Sequence, residues 1–335
     1  MVSYSMSKNH LKRHFKKAYR QIRRPIEWLL IWAGQLLIPR LSLRGALRLA
    51  NFVANSVYLV DKQSKEIARA NLRLMFGKRM TPDREAAIIR RSFQHMARVL
   101  VNIFWLSRDT RRRVMCQVAF QPGVIEKITQ NMPVIMVSAH IGNWELLPQA
   151  LVANGIPVMS VAKKLGSKSM DIRLIKMRST IGQQIVPADG AIRPLVAALK
   201  QGINVGLLID QHIHIWKGGA WIKFFGVPTG ISLAPAALAR KNQALIVFGW
   251  SRPLKDGRYR IECDCSFPFD PATGDAERTQ QIVDAFEHVI RRHPSLWCLN
   301  YRRWRYVAPG TDPALYPFYA RPARTRNATR PAKDQ

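Results

Sequence analysis

The octapeptide Ser138-Ala139-His140-Ile141-Gly142-Asn143-Trp144-Glu145 follows an apolar run, Val134 to Val137, and puts a histidine at the end of a buried strand with a carboxylate five residues on. A histidine so placed has the parts of a general base, and the carboxylate those of its orienting partner. Imidazole titrates near neutrality, so at cytoplasmic pH it is available in the neutral form that accepts a proton. Gly142 permits a tight turn from strand to helix, and the free N–H groups of the new helix offer a place for developing negative charge. Glu145, in the first turn, would fix the ring tautomer and stabilise an imidazolium, as a triad aspartate does. The same spacing also fits a strand-end histidine and a helix-favouring glutamate with no chemistry between them.

Rival chemistries have weaker support. A serine hydrolase would need a GxSxG elbow or an equivalent, and neither GxSxG nor HExxH occurs. Asp210, His212 and His214 alternate on one side of an extended segment and, with His140, could make a metal site. Metal-binding histidines usually come with more Asp and Glu than lie nearby, so no metal and no cofactor is expected. Cys116, Cys263, Cys265 and Cys298 form no CxxC pair and point to a reducing compartment.

The elements that must position these residues follow from periodicity. Thr81-Pro82-Asp83 opens a helix over 82–106, Asp61 to Phe76 reads as another, and the first 115 residues look mainly helical. From 132 the pattern becomes short apolar strands at 133–138, 156–161, 184–186, 203–209 and 244–250. Helices fit between them at 144–153, 168–181, 191–201 and 231–241, with a strand at 258–265 and a helix at 275–292. This predicts an α/β fold: N-terminal membrane-associated helices, then a mixed, partly parallel sheet flanked by helices, with ligands beyond the carboxyl ends of the strands. The expected division is a basic, anchoring segment at 1–60, a catalytic domain at 61–308 and a basic, Pro-rich tail at 309–335 that wraps and ends in disorder.

Charge identifies the partners. With 335 residues and 47% hydrophobic composition the chain folds, and 53 Lys+Arg against 21 Asp+Glu leave +32, which favours polyanions. Lys8 to Arg24 holds eight basic residues and no acid, directly before the apolar segment Ile26 to Ile38. A basic collar beside a greasy segment favours an anionic membrane surface. No RNA-recognition, zinc-finger or OB-type signature is present, so nucleic acid is not expected. As a helix the apolar segment reaches only about 20 Å against a hydrocarbon core of about 30 Å. A monotopic or re-entrant anchor is therefore expected, without a removable signal peptide. Arg40, Arg44 and Arg48, spaced by four among leucines, fit an interfacial amphipathic helix or a core helix with a solvated edge.

Five motifs occur in order: the octapeptide at 138–145, Asp210-Gln211, Phe224-Phe225-Gly226 with Thr229, Leu238-Ala239-Arg240, and Tyr301-Arg302-Arg303-Trp304. Together they resemble the late acyltransferases of lipid A biosynthesis, the lauroyl/myristoyl type, over roughly 25–306. The HxxxxE signature alone is shared with glycerophosphate acyltransferases, whose fold the resemblance implies. It further implies a metal-free transfer of a fatty acyl chain from acyl-acyl carrier protein to a hydroxyl of a lipid A precursor, an anionic glycolipid, at the cytoplasmic face of the inner membrane. His140 would be the base and Glu145 its orienting carboxylate. Arg178 would meet a phosphorylated sugar. Asp210 would bond substrate hydroxyls or, preferably, buttress the catalytic loop, with Gln211, Asn143 and Lys163 also in the cleft. Trp216, Trp221, Phe224 and Phe225 are candidates for the acyl-chain wall. Tyr301 stands where many members have a histidine, and His212-Ile213-His214 where an acidic or glycine-rich loop is usual. These departures bear on the acceptor more than on the reaction, and another lipid, such as a lysophospholipid or an aminolipid, is the alternative. A non-catalytic protein that binds anionic lipid is a third reading.

Overall fold

The computed structural model describes residues 29–323 apart from 30, 78, 79, 131 and 164–167. The basic run from Lys8 to Arg24 and the end of the tail lie outside the described residues.

A helical layer comes first. Ser42 caps α1 (Leu43–Val60), its hydroxyl accepting from the Gly45 N–H at 3.1 Å. Asp61 caps α2 (Lys62–Phe76) through the Ser64 N–H, and Thr81 caps α3 (Pro82–Trp105), with Pro82 in the first turn where its missing N–H costs nothing. In α1, Ala46, Ala50 and Ala54 recur every fourth residue and make a smooth stripe that packs on α3. None of the described helices is long and apolar enough to cross a membrane.

After α4 (Thr110–Gln117) come β1 (Val118–Phe120), α5 (Val124–Ile128), β2 (Val134–Ser138), α6 (Leu146–Ala153), β3 (Val158–Ala162), α7 (Lys168–Arg178), β4 (Gln184–Pro187), α8 (Ile192–Lys200) and β5 (Asn204–Leu208). A hairpin of β6 (Gly219–Phe224) and β7 (Val227–Ser232) follows, then α9 (Ala234–Asn242), β8 (Leu245–Pro253), β9 (Tyr259–Phe267) and α10 (Asp275–Arg292). β10 (Tyr306–Val307) pairs with β11 (Arg321–Pro322) in a small C-terminal strap.

The main sheet has the order β1-β9-β8-β2-β5-β3-β4. Its block β8-β2-β5-β3-β4 is parallel, while β9 runs antiparallel to β8 and carries β1 parallel to itself. Every residue of β2 is buried, as a strand with parallel neighbours on both sides requires. Alternation divides its side chains between two cores. Ile135 and Val137 join Val205, Leu207 and residues of α8, α9 and α10, whereas Val134 and Met136 join α6 on the other face. The second face, beneath α7 and the end of α3, carries the cleft described below.

The β6–β7 hairpin is absent from the sequence-based expectation. Phe225 and Gly226 both take positive φ, 52° and 80°, the two-residue turn that suits the twist of paired strands. The Phe224-Phe225-Gly226 motif is therefore a turn, and it delivers both phenylalanines to the core.

Candidate active site

β2 and β5 are neighbours in parallel register, Ser138 opposite Leu208. His140 and Asp210 each stand two residues past these partners, so adjacent strand ends deliver them side by side. His140 Nδ1 lies 2.6 Å from Asp210 Oδ1. Asp210 has no exposed surface. Its Oδ2 accepts from Trp297 Nε1 at 2.9 Å and from Arg303 Nε and Nη2 at 3.2 and 2.6 Å. Burial alone would raise the Asp210 carboxyl, but the charges and hydrogen bonds of His140 and Arg303 outweigh it and hold the group well below the usual carboxylate range. An ionised Asp210 only accepts, so Nδ1 carries a proton, which in the neutral ring leaves the lone pair on Nε2. The Gln211 side-chain nitrogen sits 3.2 Å from Nε2 and can donate to it.

Gly142 makes the turn that holds the histidine. Its φ is +58°, and a Cβ there would lie 1.9 Å from the Ser251 carbonyl oxygen. The Cys298 N–H donates to the His140 carbonyl at 3.0 Å, and Ser92 Oγ donates to the Trp297 carbonyl at 2.8 Å. From α3, His95 bonds the Gly142 backbone; burial pushes its imidazole down to about 4, so it packs there uncharged.

The expected His140/Glu145 pair is not formed. Because the chain reverses at Gly142 and α6 begins only at Leu146, residues 140 and 145 do not share a helical turn. The Glu145 carboxylate instead takes two bonds from Arg178, 2.7 Å each, on α7. Arg178 is thus committed first to Glu145, and the carboxylate on the histidine ring is Asp210.

From His140 a cleft of about 520 Å³ runs over the sheet face, beneath α7 and the second half of α3. Its head is polar, with His140, Glu145, Arg178, Lys163 and Gln211, and its body is apolar, with Val99, Ile103, Phe104, Leu147, Leu174 and Ile185. His140, its Nδ1 against a buried carboxylate, thus stands at one end of a largely apolar slot.

Over residues 12–306 the sequence matches the family described as bacterial lipid A biosynthesis acyltransferase. The chain belongs to this family. It is also similar to proteins named phosphatidylinositol mannoside acyltransferase. That of Mycobacterium tuberculosis (strain ATCC 25618 / H37Rv) is 23% identical over 290 residues, spanning 82% of this chain and 86% of the relative. That of Mycolicibacterium smegmatis (strain ATCC 700084 / mc(2)155) is 27% identical over 176 residues, 51% of this chain and 56% of the relative. Family and relatives together make the protein a lipid acyltransferase.

Several expected site residues of this acyltransferase lie elsewhere. Phe224 and Phe225 are buried against Trp297 and Trp304, because the hairpin turn points them into the core. Trp216 is exposed and stacks on His214 at 4.2 Å, and neither it nor Trp221 lines the cleft. Asn143 is fully buried beneath the loop, where Oδ1 accepts from the Leu146 N–H and the backbone N–H donates to Ser251 Oγ. The loop N–H groups ahead of that helix are engaged as well: Ile141 with Ala139, Gly142 with Leu296, Asn143 with Ser251. His212 packs on Tyr301 and Tyr306, while Asp210 is taken by His140, Arg303 and Trp297, so among the described residues the four candidate metal ligands form no common site.

Nothing in the sequence pattern marks Trp297, Ser251 or His95 as part of the site, and Arg303 stands out only within its motif. Arg303 had a usable signal, since a lone aspartate in a buried strand-end position needs a cation. Its distance in sequence from Asp210 hid the match.

Proposed function

We propose that this acyltransferase moves a fatty acyl chain from acyl-acyl carrier protein to a hydroxyl of a lipid A precursor, forming an acyloxyacyl ester at the cytoplasmic face of the inner membrane. The observation that carries the reading is His140, its Nδ1 bonded to a buried carboxylate, at the head of an apolar cleft. The acceptor hydroxyl replaces Gln211 at Nε2 and gives up its proton there as its oxygen attacks the thioester carbonyl. Collapse of the tetrahedral intermediate breaks the carbon–sulfur bond, and the proton passes from His140 to the departing thiolate. Asp210 keeps the ring oriented and balances the transient imidazolium. The bidentate pair of Arg178 and Glu145, with Lys163, gives the cleft head donors for phosphate or sugar oxygens.

The surroundings suit a membrane lipid and an acidic carrier. Trp32, Leu36, Phe52, Leu59 and Val60 are exposed, the last three more than 70%. Ile31 and Leu100, in the same helical layer, line the cleft, which therefore opens beside apolar surface. Arg40, Arg44 and Arg48 are exposed, and the net charge of +32 favours both anionic lipid and anionic carrier.

The relatives' names favour a second acceptor class, a mannosylated phosphatidylinositol or another phospholipid-based glycolipid. Incubation with acyl-acyl carrier protein and several acceptors in parallel, read by mass spectrometry, separates the two. Acyl gain on the lipid A precursor, abolished by His140→Ala, is the expected result. Gain confined to a phosphoinositol acceptor selects the second reading, and liposome binding with no transfer to any acceptor rejects both.

A further inference from the structure

The cleft extends along the sheet face in rows set by strand register. Met136 on β2 lies opposite Gly206 on β5, and Gly206 opposite Ser160 on β3, whose neighbour on β4 is Ile185. All four line the cleft. The next row down, Val134, Asn204 and Val158, is buried, and Asn204 bonds the Ile128 carbonyl. The slot is therefore closed there. From His140 to Met136 is four strand residues, so the closed end lies about 13 Å from the base. At the floor, Gln183 donates to Ser160 Oγ at 3.2 Å, and the buried Gln183 Oε1 has no hydrogen-bond partner among the described residues. A hydrocarbon terminus gains nothing by pressing on such a pair. Within this row Gly206 is the one position with no side chain, and its missing Cβ is volume the slot keeps.

We propose that Gly206 sets the length of acyl chain that the slot accepts, with the Ser160–Gln183 pair as the polar stop beneath it. The inference rests on the cleft holding the donor's acyl chain. An added Cβ at Gly206 would lie 3.2 Å from Ser160 Oγ and 3.7 Å from Val158 Cγ1. The hydroxyl can swing aside, so alanine fits and its methyl projects into the slot. One methylene in a closed apolar pocket changes selectivity by roughly tenfold or more. Valine fills the same space further.

Two measurements test this on the full chain. In the first, wild type, Gly206→Ala and Gly206→Val receive an equimolar mixture of saturated acyl-acyl carrier proteins of graded length, and mass spectrometry reads the products. All lengths compete for one enzyme preparation, so partial unfolding lowers every product alike and leaves their ratio intact. The expected result is a shift toward shorter chains, with the ratio of longest to next-shorter product falling roughly tenfold in Gly206→Ala and further in Gly206→Val. In the second, thermal stabilisation by free fatty acids of graded length is recorded for the same proteins, with Ser160→Val as an independent way to fill the floor. Its optimum should shorten in all three variants. An unchanged length profile in Gly206→Val overturns the inference, as does a shift that follows the acceptor's chains rather than the donor's. If wild type transfers nothing while the fatty-acid optimum still moves with Gly206, the acyl-transfer reading fails and the length assignment stands.

Discussion

Replacing Asp210 by asparagine separates the carboxylate that serves His140 from the one that does not. Three N–H donors, from Trp297 and Arg303, converge on Asp210 Oδ2. In Asp210→Asn the amide oxygen must occupy that position, which turns the amide NH₂ toward His140 Nδ1. Nδ1 then accepts, the ring proton moves to Nε2, and the atom that should take the acceptor's proton already carries one. Restoring the productive tautomer forfeits a charge-assisted hydrogen bond, about 2 kcal/mol. The imidazolium also loses an anion at contact distance, about 3–4 kcal/mol at an effective dielectric near 20. Together these lower turnover roughly 10⁴-fold. Glu145→Gln touches Arg178 rather than the ring, so its effect should fall mainly on KM for a phosphorylated acceptor, with turnover within about tenfold of wild type.

The assay is turnover at saturating donor and acceptor, read by mass spectrometry and divided by the folded fraction from near-ultraviolet circular dichroism. That correction matters because the substitution also strips the buried Arg303 of its counter-charge, at a cost of about 3–5 kcal/mol in stability. Asp210→Asn with turnover within tenfold of wild type, alongside a far slower Glu145→Gln, would refute the argument and return the base's partner to Glu145.

Three further outcomes follow from the same geometry. His95 is uncharged in the folded protein down to about pH 4 but takes up its proton near its ordinary value of 6.5 once unfolded. The unfolded state thus binds more protons in that window, and stability should rise by about 3 kcal/mol from pH 4 to pH 6.5, a slope reduced in His95→Asn when denaturation midpoints are compared. His212, also held at about 4 by burial and by Arg305, adds in the same direction and keeps some slope in the variant. Gly142→Ala must relieve a 1.9 Å approach to the Ser251 carbonyl by moving the His140 loop, and kcat/KM should drop about 100-fold or more with only a few degrees lost in melting temperature. Arg303→Met should lower stability by about 3–5 kcal/mol in chemical denaturation, and Arg303→Lys should not restore it, because one ammonium cannot reproduce the two guanidinium bonds to Asp210 Oδ2.

The elements were largely legible because their signals are local. The proline-led start of α3, the apolar runs that became β2, β5 and β8, and the position of His140 at a strand end each rest on a few consecutive residues. Their boundaries moved little, the 82–106 helix becoming Pro82–Trp105. The β6–β7 hairpin was missed because its turn residues, Phe225 and Gly226, include a bulky side chain at positive φ, a conformation that local preference argues against and that burial beside Trp297 and Trp304 stabilises.

The site was legible only as far as spacing along the chain could carry it. His140 and Glu145 sit close in sequence, but the turn at Gly142, set by the Ser251 backbone, parts them. His140 and Asp210 are seventy residues apart, and what joins them is the order of strands: β5 inserts between β2 and β3, so that two consecutive strands of the chain are not neighbours in the sheet. Hydrophobic periodicity is identical for either order. The decision belongs to long-range packing, in which the fully buried Asp210 at the end of β5 is met by Arg303 and Trp297 from the C-terminal segment. A buried acid unpaired by that segment would be costly to keep, so the contacts that satisfy Asp210 beside the His140 ring also favour this strand order.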